Sequence, residues 1–123
     1  RASRRTHRAL LGLPLLQRLV KKVTIICQSA PGSKRRLAEE AVRLAAGLAA
    51  TGRVQVDLAL KAGGLLLLEP EFRGASSTWE SLLSPTSRVL VPANATLPSG
   101  SPKVEKVADP ETLAKAADLV LRF

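Results

Sequence analysis

The order of apolar and polar positions along the chain predicts alternating strands and helices. Residues 21–27, KKVTIIC, are rich in β-branched side chains and run into the turn-prone QSAPGS, a strand entering a loop. A helix is expected next. Ser33 is placed to cap it, Leu37, Ala41, Leu44, Ala45 and Leu48 recur on one face, and Gly52 suits its left-handed end. In RVQVDLALK, Val54, Val56, Leu58 and Leu60 then alternate with Arg53, Gln55, Asp57 and Lys61, which predicts a strand with one buried and one polar face. Strand, helix and strand over about 40 residues make a βαβ unit.

Beyond it, Gly63 and Gly64 predict a tight reversal into a third strand from Leu65 to Phe72, antiparallel to its predecessor, with Pro70 at an edge or bulge. From about residue 75 to 102 the composition shifts to Ser, Thr, Pro and Ala. This reads as a mostly irregular insertion, interrupted by a helical turn at TWESLL and a short strand at RVLV. Lys103 to Val107 is expected to be the closing strand. Asp109 as N-cap and Pro110 at the first helical position open a last helix with Leu113, Ala116, Ala117 and Val120 on its apolar face. The predicted fold is α/β, in the order β-α-β-β-β-α. Two main helices pack on a small mixed sheet over residues 21–123, preceded by an arm at 1–20.

Composition removes several functions. A single His and a single Cys build neither a Cys/His zinc cluster nor an internal disulfide, so no metal and no cofactor are expected. The three aromatics, Phe72, Trp79 and Phe123, are too few for an RNA-binding sheet that stacks bases on aromatic rows. No transmembrane segment is expected, because the unbroken apolar runs fall far short of about 18 residues.

Charge adds an asymmetry. The formal net charge is +9, with 19 Lys and Arg against 10 Asp and Glu. Residues 1–36 hold ten of the cations and no acid, namely Arg1, Arg4, Arg5, Arg8, Arg18, Lys21, Lys22, Lys34, Arg35 and Arg36, and the remainder is at −1. A polyanionic partner is implied, nucleic acid or an anionic membrane surface. These ten residues are the candidate nucleic-acid contacts. Arg1 to Arg8 would lie along phosphates, and Lys34 to Arg36 would add a second contact at a helix start whose dipole they oppose unless an anion is bound. The run SAPGSKRR lacks the spacing of a nucleotide P-loop. The opening RASRRTHRALLGLPLLQRL also reads like a mitochondrial transit peptide, and a retained basic arm or presequence remnant is expected there.

Catalytic chemistry finds little support. Cys27 lies where a redox cysteine would follow a first strand, but Ala30 occupies the place of the second thiol of a C-x-x-C motif. A dithiol oxidoreductase is thereby excluded, and a monothiol role is a remote alternative. His7, the adjacent Glu39 and Glu40, and the spaced Glu69 and Glu71 form no nucleophile and base combination. The chain is not expected to be an enzyme.

An apolar strand ending in Cys27, a loop with Pro31, Gly32 and Ser33, an amphipathic helix, and RVQVDLALKAGG leading to LLLLEPEFRG carry a family resemblance. The chain resembles the thioredoxin-like domain shared by several mitochondrial ribosomal proteins and an accessory subunit of respiratory complex I. The likeness covers about residues 12–74 and, more loosely, 103–121. Lys61, Gly63, Glu71, Phe72 and Gly74 look like the strand ending of a large-subunit ribosomal member, whereas CQSAPGS looks more like the complex I subunit. The resemblance implies a structural protein of the mitochondrial large ribosomal subunit in the matrix, bound to rRNA and neighbouring ribosomal proteins without a small-molecule substrate. The alternative it implies is an accessory subunit of complex I.

Overall fold

A computed structural model describes residues 21–72, 79, 80, 82, 87–98 and 100–123. Five strands form one sheet: β1 (Lys22–Cys27), β2 (Gln55–Leu60), β3 (Ser87–Pro92), β4 (Glu105–Val107) and β5 (Leu119–Arg122). Their spatial order is β4-β3-β2-β1-β5, and every pairing is parallel. The α/β class expected from the sequence is the one found, but the sheet is parallel throughout rather than mixed. One register row crosses it from Val120 on β5 through Thr24 on β1 and Asp57 on β2 to Arg88 on β3.

Helix α1 (Leu37–Thr51) lies over one face. It packs through Ala38, Ala41, Val42, Ala45 and Ala49 onto Val23, Ile25 and Cys27 of β1 and Val56, Leu58 and Leu60 of β2. This buried face is rotated from the one read in the sequence. It shares Ala41 and Ala45 with that face, while Leu44 is exposed. Alanines at the contact let the helix approach the sheet closely, so packing overrides the larger leucines. Gly52 ends α1 in the left-handed region, at φ 66°, and its N–H donates to the Ala49 carbonyl.

The second face is covered by the short α2 (Pro110–Ala114), where Ala114 meets Ile26, Ala59 and Leu90. Coverage from both sides explains why Val56 to Leu60 are all buried, against the expected polar face of β2. Asp109 caps α2 as its position predicts. Its Oδ1 accepts the Glu111 N–H at 3.0 Å and its Oδ2 accepts the Thr112 hydroxyl at 3.0 Å.

Three expectations are corrected. Residues 65–72 form no antiparallel strand: Ala62–Leu68 and Pro70–Phe72 are 3-10 helices that send Leu67 and Leu68 into the α1 core. A Cβ on Gly64 would overlap the Cys27 carbonyl oxygen, and one on Gly63 would lie 2.8 Å from the Ala30 nitrogen. These glycines serve close packing against the end of β1 rather than a hairpin. Next, the stretch at about 75–102 is part of the core: the short strand expected at RVLV is found as β3 but lies in the interior of the sheet, and Trp79 and Leu82 are buried in the α1 core. Finally, α2 ends at Ala114, and Val120 belongs to β5. Asp118 pins the start of that strand by accepting the N–H groups of Lys21 at 2.7 Å and Lys22 at 2.9 Å.

Candidate functional site

The loop between β1 and α1 presents three consecutive cations at the carboxyl edge of the sheet. Gly32 has φ 82°, and Arg36, at φ 52°, is the N-cap residue of α1 without a side-chain cap. Ser33 does not cap the helix; its carbonyl accepts the Arg36 N–H at 3.0 Å and closes a turn. Lys34, Arg35 and Arg36 therefore precede α1 rather than occupying its first turn, and all three are exposed. Acids take that first turn instead, Glu39 and Glu40, in agreement with the helix dipole. Glu39 accepts the Gly32 N–H at 2.9 Å and lies 3.8 Å from the Arg36 guanidinium. The Gly32 N–H, helped by Arg36, holds its carboxyl below the usual range.

A second charged group lies at the same edge under α2. Glu111 accepts from Arg122 at 2.9 and 2.8 Å and from Lys61 at 3.2 Å. Lys61 follows β2 and Arg122 closes β5, one strand to either side of β1. The two cations, Arg122 foremost, lower the Glu111 pKa to about 2. Residue spacing offered no signal for this group, because its members lie 50 and 11 positions apart and meet only through the strand order.

The other sequence-derived contacts do not join this edge. Lys21 and Lys22 are at the amino end of β1, the opposite end of the strand from the loop that carries Lys34 to Arg36. The Lys22 ammonium is 3.4 Å from the buried Asp57 carboxylate, so its charge is used inside the domain. Arg88 joins the same carboxylate and reaches Glu105 at 3.4 Å. Arg1, Arg4, Arg5, Arg8 and Arg18 lie outside the described residues.

Cys27 is fully buried, its thiol 3.7 Å from the Ser29 carbonyl oxygen. Burial pushes the thiol pKa up, with a smaller contribution from Glu39, and outweighs the Ser29 hydrogen bond. Such a sulfur is a poor nucleophile, because the thiolate is the reactive form. No group of three or more His, Cys, Asp or Glu able to hold a metal ion occurs among the described residues. No helix among them is long and apolar enough to cross a membrane.

A five-stranded parallel sheet with helices on both faces places the chain among open α/β folds. No protein-family model and no curated protein matches the chain. Among solved structures, the YchN protein from E. coli is similar in fold, with a TM-score of 0.60 at 19% identity. The match covers 84% of this chain and 99% of that one.

Proposed function

We propose that this chain is a non-catalytic structural protein that binds rRNA phosphates, as a component of the large subunit of the mitochondrial ribosome in the matrix. The observation that carries the reading is the exposed run Lys34, Arg35 and Arg36 on a turn held by Glu39. Among the described residues neither Lys34 nor Arg35 is in an ion pair, so both are available to phosphates. The family resemblance supports the ribosomal assignment outside residues 65–72, which are 3-10 helices rather than the strand ending it implied, and the buried thiol of Cys27 fits a domain without redox chemistry. Arginine forks onto phosphate oxygens, and each neutralised phosphate releases counterions, so these contacts position the protein without reading base sequence.

The test is binding to a structured RNA over a range of salt concentrations. Replacing Lys34, Arg35 and Arg36 together by Ala should flatten the slope of log affinity against log salt by about 2 to 3 units. An unchanged slope would remove this edge from the interface. Co-sedimentation with large-subunit rRNA is the expected cellular result. Co-migration with NADH dehydrogenase activity would instead make the chain an accessory subunit of complex I.

A further inference from the structure

The strand order β4-β3-β2-β1-β5 reverses between β1 and β5, and open parallel sheets bind ligands outside the carboxyl ends of their strands at such a reversal. Beside that reversal, along the seam between α2 and β5, the structure holds an excess of positive charge. Arg122 and Lys61 share one carboxylate, Glu111, whose two oxygens are taken by them at 2.8 to 3.2 Å. Lys115, at the end of α2, is exposed and has no carboxylate partner among the described residues. An open hollow of about 260 Å³ lies between α2 and β5, lined by Glu111, Ala114, Lys115, Val120 and Arg122. Its rim is charged, and Ala114 and Val120 form an apolar floor. The hollow is smaller than the roughly 300–1,000 Å³ of sites for drug-sized ligands, so it suits a compact molecule.

We infer that this hollow is a binding site for a small organic carboxylate, its anionic end between Lys115 and Arg122 and its short hydrocarbon body on Ala114 and Val120. Glu111 sets the orientation of Arg122 by a two-point ion pair and occupies Lys61, which leaves Lys115 as the ammonium open to a ligand. Inorganic anions share the charge but gain nothing from the floor. The chemistry therefore favours a carboxylate with a few methylene groups over chloride or phosphate.

The experiment is an NMR titration of the ¹⁵N-labelled chain with sodium butyrate at constant ionic strength, with acetate, phosphate and chloride in parallel. Saturating shifts confined to the amides of 111–115 and 120–122 are expected. Butyrate should bind several-fold more tightly than acetate, each added methylene giving at most about fourfold if buried. Lys115→Glu, on the exposed end of α2 and outside the Glu111 cluster, should weaken butyrate binding at least about tenfold, the effect of losing and reversing a charge. The rest of its spectrum should be unchanged. Non-saturating shifts, equal affinity for butyrate and phosphate, or a wild-type titration by the Lys115→Glu chain would overturn the inference.

Discussion

Arg88 grips Asp57 with two nitrogens, Nε at 3.1 Å from one carboxylate oxygen and Nη2 at 2.8 Å from the other. The carboxylate is buried on an interior strand, with 2% of its residue surface exposed, and Lys22 approaches it from β1. Adjacent strands are thus joined by charge on the face opposite α1. Removing one member of a buried pair leaves an uncompensated charge, whereas an exposed pair contributes little. Arg88→Met should therefore cost about 3 kcal/mol, the low end for a buried pair because Lys22 still faces the carboxylate. Asp57→Ala should cost less, since it leaves no buried charge and Arg88 can turn to water. Urea unfolding of the two variants checks the ranking.

Two glycines meet opposite surroundings. Gly64→Ala places a methyl group against the Cys27 carbonyl, on backbone that has nowhere to move, and should destabilise by about 3 kcal/mol or more. Gly47, on the outer side of α1, has open space where a Cβ would go. Gly47→Ala should stabilise the fold by about 0.5 to 1 kcal/mol through helix propensity. Thermal unfolding of both proteins reads the contrast directly.

Acid sensitivity should follow from Glu111. Its pKa is lowered in the folded chain from 4.5 to about 2, so its contribution to stability is present above the unfolded value and is lost as the pH falls through that interval. Glu39 and Asp118, lowered by backbone N–H donors, act in the same direction. The melting temperature should therefore fall between about pH 4.5 and 2, and Glu111→Gln should make that fall shallower. An identical pH profile for the variant would contradict the ion cluster.

Cys27 should be silent in the native protein. With no exposed surface and a raised pKa, its thiol should react with a disulfide reagent only through opening of the domain. Labelling should then slow in step with any mutation that stabilises the fold, such as Gly47→Ala. Immediate stoichiometric labelling would point to a reactive thiol and reopen a redox role.

The first βαβ unit was legible because each of its signals is local. Val23 to Cys27 are β-branched or apolar, Gly52 stops α1, and Val56, Leu58 and Leu60 alternate. The α2 cap was legible for the same reason, since Asp109 and Pro110 act on their own neighbours. Leu65 to Leu68 misled, because a short apolar run fits a strand and a buried helix equally well, and the close approach of Gly64 to Cys27 decides between them. Strand β5 was missed because Leu113, Ala116, Ala117 and Val120 also have helical spacing, and the Asp118 contact that ends this pattern comes from β1. Of the candidate site, the charge of Lys34 to Arg36 was visible but not its place before α1. The Lys61, Glu111 and Arg122 cluster depends on the order of strands, which no local pattern encodes.

That order also governs assembly. The interior strand β1 is the first of the described strands in sequence, and its outer flank is filled by the last, so contacts such as Lys21 to Asp118 join residues 97 positions apart. Closing so long a loop has an entropic cost that local contacts do not repay, and non-local parallel pairing slows folding. Until residues 118–122 dock, a strand rich in Val and Ile has one unpaired backbone edge, open to the same strand of another copy. Chains cut short before Asp118 should keep that edge and aggregate through it.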